Sequence, residues 1–253
     1  NGDTYTATNL AAGVSVQLNN TVNSRDANTL TISLEDASGT SDEVTVITAG
    51  TATHGTDNNM DDIAITDVET LNIQSTFVGA TALGATEANV IDDISADTTM
   101  TTMNVSGTEK TTITLGSETT NLATFSASGL TDDLTLDASS LTSNTTFTGG
   151  SREDTFTMGT TLNQNDTVDG GADGTASGEN DLLTATITGL TATTGALNIS
   201  NVEVIDLTNN GTATINAAGI TGADSINIFA SSDTTTITNL TSGATVGLSK
   251  TGG

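Results

Sequence analysis

The segment Gly149-Gly150-Ser151-Arg152-Glu153-Asp154-Thr155-Phe156-Thr157 decides the fold of this chain. It follows the nine-residue pattern G-G-x-G-x-D-x-U-x, in which U is a bulky apolar residue and which is typical of parallel β-solenoids. The glycines permit a turn with positive φ, and Phe156 is placed to enter a core as the next strand begins. Arg152 stands at the third glycine position, where it still offers a carbonyl oxygen. The segment therefore predicts one coil of a solenoid.

A second, interrupted copy of the pattern follows. It starts with Gly170-Gly171-Ala172, continues through an insertion that begins at Asp173, and resumes at 178–183. Between the two copies, Asp166 and Val168 supply the Asp-x-apolar half without glycines ahead of it. Carboxylates and carbonyls that converge in such loops are hard oxygen ligands, which Ca²⁺ prefers. The pattern therefore predicts a calcium site, and the candidates with glycines and an apolar position beside them are Asp154, Asp169 and Asp181.

The block 149–183 resembles the RTX repeats of secreted bacterial proteins, and the rest of the chain is similar to the calcium-dependent surface-layer proteins of Gram-negative bacteria that carry such repeats. The phrases Val68–Ile73 and Val202–Leu207 are of a type common in those Thr-rich proteins. The resemblance implies an ion held between one loop and the equivalent loop of the next coil. The ligands that it implies are Gly150, Arg152 and Asp154 in one loop and Gly171, Ala172 and Asp181 in the next, with Asp169 or Asp173 as additions. Asp166, from the half-copy between them, is a further candidate ligand.

Composition indicates the same class of protein. The chain has 31 acidic and 4 basic residues and a formal charge of -27, so it repels itself unless cations neutralise it. This charge argues against nucleic acid as a partner. No apolar run approaches the roughly 18 residues of a membrane span, so we expect no direct membrane insertion. Divalent ions would instead bridge the carboxylates to a cell-surface polysaccharide.

The chain has no Cys, so cysteine usage gives no information about its cellular compartment. We therefore infer the compartment from the acidity of the chain. Millimolar extracellular calcium suits cages with dissociation constants of about 10⁻⁴ to 10⁻³ M. We therefore expect an extracellular protein at the bacterial cell surface. The first residue is Asn1, which indicates a processed chain or an excised fragment.

Intrinsic disorder is the simplest alternative, since high charge with abundant Thr, Ser and Gly matches disordered composition. Against it, Pro is absent and bulky residues recur: Phe125, Leu136 and Phe147 are eleven residues apart. Segments such as Thr112–Leu115 alternate with the period of two that marks a strand with one buried face. Two strands with their turns make a coil of roughly 20 residues. A dozen coils at about 4.8 Å would make a rod of ~60 Å.

We therefore predict an all-β fold, a parallel β-solenoid (β-helix) with RTX-like calcium-binding turns. Residues 97–253 are assigned to the solenoid, which contains the block 149–183. Residues 1–96 are a less regular β-rich region, either solenoid or a separate domain, and an antiparallel immunoglobulin-like β-sandwich is the alternative there. The boundary falls near Ala82–Thr99, where Ala82–Ala96 reads as a short helix or an extended loop.

Other acidic residues lie beside turns and ahead of apolar residues. Each is a secondary candidate for a metal ligand, although Asp is also favoured in solvated turns. These secondary candidates are Asp57, Asp61, Asp62, Asp92, Asp93, Asp97, Asp132 and Asp133.

Catalysis is not expected. His54 is the only histidine, and neither a G-x-S-x-G elbow nor a zinc-binding His/Glu arrangement is present. Asp61 and Asp62 are neighbours, which on a strand point to opposite faces and cannot flank a glycosidic bond. A polysaccharide lyase needs a basic residue and aromatic platforms, whereas aromatic residues make up 2% of the chain and the basic residues are scattered. The basic residues are Arg25, Lys110, Arg152 and Lys250.

Two functions from different classes remain. The first is a non-catalytic structural one: a calcium-dependent subunit of a surface layer or sheath that assembles with itself into a lattice or filament. The second is recognition, as a segment of a large secreted RTX adhesin. Ice binding is a special case of the second, suggested by repeated Thr-x-Thr pairs. The pairs are Thr29–Thr31, Thr155–Thr157, Thr184–Thr186 and Thr212–Thr214.

Overall fold

The computed structural model describes residues 4–18, 29–36, 38–50, 58–60, 62–77, 87–172, 179–188, 195–230, 234–240 and 243–250. These residues form β-strands joined by turns, with one 3₁₀ turn at Ala217–Gly219. No helix in these ranges is long and apolar enough to cross a membrane.

Most of the strands belong to two long sheets, in which neighbouring strands are parallel. Sheet A is formed by β1 (Thr4–Leu10), β3 (Thr29–Leu34), β6 (Asp62–Thr66), β8 (Asn89–Ala96), β10 (Thr111–Leu115), β12 (Leu134–Asp137), β14 (Asp154–Thr157), β16 (Leu182–Ile187), β18 (Val204–Asn209), β21 (Ser225–Ala230) and β23 (Thr245–Lys250). A short strand, β5 (Asn58–Asn59), also pairs with β8.

Sheet B contains nine strands, and a third, small sheet contains two. Sheet B is formed by β2 (Val14–Leu18), β4 (Glu43–Gly50), β7 (Thr70–Phe77), β9 (Thr102–Gly107), β11 (Thr124–Leu130), β13 (Thr146–Thr148), β15 (Thr167–Asp169), β17 (Asn198–Ser200) and β20 (Ile220–Thr221). The small sheet pairs β19 (Ala213–Asn216) with β22 (Thr235–Thr238). The chain alternates between sheets A and B, so it winds as a β-solenoid of about nine turns, and the predicted parallel β-helix is confirmed.

The solenoid also includes the described strands that precede residue 97. Strands β1, β3, β6 and β8 continue sheet A, and β2, β4 and β7 continue sheet B. The antiparallel sandwich considered for residues 1–100 therefore does not describe this part of the chain. Asn89–Ala96 is strand β8 rather than a helix or a loop, while residues 82–86 lie outside the described residues.

The core is a set of in-register rows that run along the solenoid. Alternate residues of each strand face inward, as the period of two predicts. The Phe125 and Phe147 rings, on adjacent strands of sheet B, lie 6.2 Å apart with a tilt of 41°. One row of sheet A consists of Ile91, Ile113, Leu136, Phe156, Leu183, Ile205 and Ile226, all 1% exposed or less.

Two kinds of corner join the sheets. At each A-to-B corner the chain leaves sheet A for sheet B, and at each B-to-A corner it returns. The B-to-A corners differ in length: 131–133 precedes β12, 149–153 precedes β14, 170–181 precedes β16 and 201–203 precedes β18. The RTX-like block therefore occupies two successive B-to-A corners.

Candidate functional site

A series of carboxylates links successive coils at the B-to-A corners. The Leu134 N–H donates to Asp154 Oδ1 at 2.9 Å. One coil later, the Asp154 N–H donates to Asp181 Oδ1 at 2.8 Å. The Asp181 N–H in turn donates to Glu203 Oε2 at 2.8 Å. We call Asp154, Asp181 and Glu203 the carboxylate ladder, because each one accepts a backbone N–H from the coil before it.

Asp154 is the buried centre of this ladder. Its side chain has no exposed surface, and Oδ2 accepts the Gly150 N–H at 2.5 Å. Burial raises the pKa of Asp154 to about 7, since desolvation disfavours the charged form. The bonds from Gly150 and Leu134 lower this pKa, and the nearby charge of Asp133 raises it further.

Steric contacts explain why glycine occupies the first position of each glycine pair in the motif. A Cβ on Gly149 would lie 1.9 Å from the Gly170 carbonyl oxygen and 2.4 Å from Asp154 Oδ2. One coil later, a Cβ on Gly170 would lie 1.7 Å from the Asn201 carbonyl oxygen and 2.1 Å from Asp181 Oδ2. Any larger residue at these two positions would therefore displace both a neighbouring coil and a ladder carboxylate.

The same geometry tests whether the residues present suit calcium. At each of the two glycines, a carbonyl oxygen of the following coil and the ladder carboxylate of the same corner lie against the glycine Cα. Both are oxygen ligands of the kind that Ca²⁺ prefers, although it takes six to eight of them. The insertion 173–178, with the predicted ligand Asp173, lies outside the described residues. Within the described part of the chain, no group of three or more acidic, His or Cys side chains has the arrangement to hold a metal.

Arg152 contributes its side chain, not only the carbonyl expected from the pattern. Its φ is not positive, so the substitution of the third glycine requires no left-handed residue. The guanidinium lies 3.1 Å from Glu179 Oε1 and 3.4 Å from Asp133 Oδ1, and its Nη1 lies 3.7 Å from Asp132. Lys110 Nζ is 3.4 Å from Asp133 Oδ2. Two of the four basic residues thus offset acidic charge beside the RTX-like block.

The predicted ligands are brought together only in part. Gly150 and Ala172 are on adjacent coils, joined by the Ala172 N–H to the Gly150 carbonyl at 3.0 Å. Gly171, next to them, has φ 110°. Asp169 ends β15 on the outer face, where its Oδ1 accepts from the Gly171 N–H at 3.1 Å and from Asn201 Nδ2 at 2.8 Å.

Asp166 belongs to the opposite, A-to-B corner. Its Oδ1 accepts the Thr145 N–H of the preceding coil at 3.0 Å, and its Oδ2 accepts the Asn163 N–H at 2.9 Å. Burial raises the pKa of Asp166, although both bonds act in the other direction. Asp166 therefore performs the same inter-coil bonding as Asp154, but away from the glycine corners.

The secondary candidates on β8 and β6 lie at a break in register. Asp62 pairs with Asp93 across the two strands, and β8 shifts register where it pairs with β10. Asp92 accepts from Asn59 Nδ2 at 2.7 Å, and Asp93 accepts from Ser95 Oγ at 2.6 Å. Two further candidates, Asp57 and Asp61, lie outside the described residues.

Asp97 closes a turn at an A-to-B corner. It accepts the Asp67 N–H at 2.9 Å, the Thr99 N–H at 2.9 Å and the Thr99 hydroxyl. Burial acts to raise the pKa of Asp97, but these bonds outweigh it and the pKa lies below its usual value. Asp132 and Asp133, the last of the secondary candidates, are the partners of Arg152 described above.

Sequence reasoning missed the role of two glutamates. Glu69 Oε2 accepts the Asp42 N–H at 2.8 Å, just as Glu203 accepts from Asp181. Both glutamates follow a fully buried valine, Val68 or Val202. The repeated Val-Glu phrase was the available signal, and it marks a corner at which Val fills the core and Glu bonds to the preceding coil.

The chain matches no protein-family model, no curated protein and no solved structure. The likeness to RTX proteins therefore rests on residues 149–183, and the solenoid and its corners are the basis for a functional proposal. His54, whose isolation argued against catalysis, lies outside the described residues.

Proposed function

We propose that this chain is a non-catalytic structural protein of the bacterial cell surface, a calcium-dependent subunit that assembles with itself into a surface layer or sheath. The observation that carries the proposal is the solenoid that the described strands form, in which β14, β15 and β16 of the RTX-like block pair with strands of the neighbouring coils rather than forming a separate module. Solenoids are quasi-one-dimensional, and each coil contacts only its neighbours. Such a rod suits a scaffold.

Calcium has a physical role in this proposal. A chain of charge -27 is destabilised by self-repulsion, and a buried carboxylate at Asp154 adds the cost of desolvation. A cation held by Asp154, Asp181 and the adjoining carbonyls would reduce both costs. The same ions would screen one subunit from another and bridge surface carboxylates to a phosphate-bearing polysaccharide.

Light scattering of the purified chain during a calcium titration tests the proposal. We expect particle size to grow with calcium, to stay unchanged with equal magnesium, and to return to the starting value after chelation. Circular dichroism on the same samples reports whether the β-structure is intact at each step. Folded particles that keep one size at every calcium concentration would contradict self-assembly.

The alternative is a segment of a secreted adhesin, and one feature of sheet B favours it. The Thr-x-Thr pairs identified in the sequence are not aligned from coil to coil, since Thr155 of β14 lies beside Leu182 of β16. The outer face of sheet B, however, carries threonines in register on five successive coils. These are Thr70, Thr102, Thr124, Thr146 and Thr167. Repeated hydroxyls and methyls on a flat face suit a repetitive ligand such as a polysaccharide or ice.

A binding assay separates the two functions. An adhesin segment is expected to stay monomeric in calcium and to bind insoluble cell-surface polysaccharide through sheet B. Thr124→Asp with Thr146→Asp should then abolish binding, while the matched pair Thr112→Asp with Thr135→Asp on sheet A should leave it unchanged. Equal binding by both double variants would exclude the threonine row as the ligand surface.

A further inference from the structure

The outer face of sheet A has a shallow depression of about 250 Å³. Its shape follows from four residues that stand side by side on successive coils, namely Gly159, Thr186, Thr208 and Phe229. The glycine has no side chain and the threonines are small, so the depression lies beside the large phenyl ring. Strand β23 pairs with the far side of β21, so the exposure of Phe229 does not depend on where the chain ends.

Phe229 differs in position from the phenylalanines of the core. Phe125, Phe147 and Phe156 are each 1% exposed or less. On β21 the inward residue Ile228 is buried, so the next residue, Phe229, faces outward and is partly exposed, as the period of two requires. The ring therefore offers a flat apolar surface to a ligand, and contact with a ligand would remove that surface from water.

A second outward row, two residues earlier on each strand, supplies polar groups to the depression. It includes Thr157, Thr184 and Asp206. The Thr184 hydroxyl donates to the Thr157 hydroxyl at 3.4 Å. Asn227, the next residue of this row, donates from Nδ2 to Asp206 Oδ1 at 2.8 Å and so orients the carboxylate. Within the described residues no group donates to Asp206 Oδ2, which leaves this oxygen to accept from a ligand.

This combination suits a neutral sugar ring. A sugar ring has an apolar face of C–H groups, which Phe229 would cover, and an edge of hydroxyls, for which Asp206 is a charged acceptor. The volume lies below the roughly 300 Å³ at which pockets for drug-sized ligands begin, so one ring fits better than a larger ligand. The chain's charge of -27 disfavours acidic sugars. Quaternary ammonium groups are recognised by cages of several aromatic rings, whereas one described residue lining this depression is aromatic.

We propose that the depression binds one neutral sugar unit of a glycan, with the ring face against Phe229 and ring hydroxyls on Asp206. The site requires neither calcium nor self-assembly. A ligand with about a dozen non-hydrogen atoms is expected to bind with a dissociation constant on the order of 1 mM. Binding of this strength does not by itself hold the chain on an insoluble polymer, so the site is separate from the threonine row of sheet B.

Saturation-transfer NMR of the purified chain in chelator tests the site with the methyl glycosides of glucose, galactose, mannose and N-acetylglucosamine. We expect ring C–H protons of at least one glycoside to be saturated, and methyl glucuronide to bind more weakly. Phe229→Ala and Asp206→Ala should each weaken binding about tenfold or more. Phe77→Ala, on sheet B, and Asp92→Ala, which also removes an acceptor for an asparagine side chain, are the matched controls and should bind as wild type does. Circular dichroism verifies that each variant is folded.

Three results would overturn the proposal. The first is the absence of saturation for every glycoside, or equal binding by Phe229→Ala, Asp206→Ala and the two controls. The second is saturation of tetramethylammonium without any glycoside, which would assign the depression to an organic cation. The third is loss of glycoside binding in Thr124→Asp with Thr146→Asp but not in Phe229→Ala, which would place the sugar on sheet B. Because these measurements are made in chelator, their failure is distinct from failure of the calcium-dependent assembly, which light scattering tests.

Discussion

Asp154 joins two coils and carries a carboxylate that is costly to ionise. Its oxygens accept the N–H group of Leu134, in the coil before it, and that of Gly150, in its own corner. Its own N–H is accepted by Asp181. A residue in this position affects stability in two ways, through the hydrogen bonds that it completes and through the charge that it buries.

The first effect predicts the result of truncation. Asp154→Ala leaves two buried N–H groups unsatisfied, and we expect the free energy of unfolding to fall by about 2–5 kcal/mol. Asp36→Ala is the control, because Asp36 is exposed and accepts hydrogen bonds from Ser38 within its own turn. Denaturant titration measures both. Equal, small losses would show that Asp154 does not bond the coils together.

The second effect predicts that the free energy of unfolding, measured in the presence of a calcium chelator, depends on pH. The pKa of Asp154 is about 7 in the folded chain against 3.8 as its ordinary value, so the folded state holds the proton more tightly. The stability that this provides is complete below pH 4 and is lost as pH rises through 7, on the order of 4 kcal/mol. Unfolding free energies of wild type should therefore decrease between pH 4 and pH 8.

Asp154→Asn removes the titrating carboxyl group, so the free energy of unfolding of this variant should decrease less between pH 4 and pH 8. Asp36→Asn serves as the control: its hydrogen bonds to Ser38 lower the pKa of Asp36, so its contribution is lost only on acidification. The slope of Asp36→Asn between pH 5 and pH 8 should match wild type. A slope in Asp154→Asn that also matches wild type would assign the pH dependence to other groups.

The glycines of the motif give a third prediction. Gly149→Ala forces a Cβ against the Gly170 carbonyl, and we expect a loss of about 2 kcal/mol or more through displaced backbone. In Gly247→Ala the nearest atom is Asn227 Oδ1, the far end of a side chain that can rotate away, and the nearest backbone atom is 3.7 Å away. Thermal unfolding of the two variants should differ clearly. Similar melting temperatures would contradict the close packing of the corner.

At the scale of strands, the inward rows carry the stability. Phe147 is 1% exposed and contacts Phe125, whereas Thr146, its neighbour on β13, faces outward. Phe147→Ala should cost about 3–5 kcal/mol, and Thr146→Ala should change the free energy of unfolding by less than about 0.5 kcal/mol. Denaturant midpoints measure this difference. Comparable effects at both positions would contradict the assigned face of β13.

The strands were predictable because the period of two is a local signal. The recurrence of Phe125, Leu136 and Phe147 every eleven residues proves to be half a coil, since Phe125 and Phe147 lie in sheet B and Leu136 lies in sheet A. The Asp and Gly positions of the motif were visible for the same reason. Local patterns of this kind depend only on residues a few positions apart.

The ladder could not be predicted, because its members come from different coils. Asp154 and Leu134 are 20 residues apart, whereas Asp181 and Asp154 are 27 apart owing to the insertion between them. No fixed spacing marks such pairs. The ion pairs of Arg152 with Asp132, Asp133 and Glu179 likewise depend on how three corners stack.

At the scale of the whole molecule, a thin core supports a highly charged rod. The chain carries a net charge of -27 and an aromatic content of 2%, so each coil has little apolar surface to offset repulsion. Cation binding is the simplest way to offset the remaining repulsion between carboxylates. A site held at thirty times its dissociation constant adds about 2 kcal/mol to stability.

The most direct measurement is therefore thermal unfolding at pH 7.5 over a series of calcium concentrations, for wild type and Asp154→Asn. We predict that the melting temperature of wild type rises with calcium and not with equal magnesium, and that Asp154→Asn responds much less. The same melting temperature in calcium, in magnesium and in chelator would contradict this prediction, and would leave the carboxylate ladder as a purely structural device.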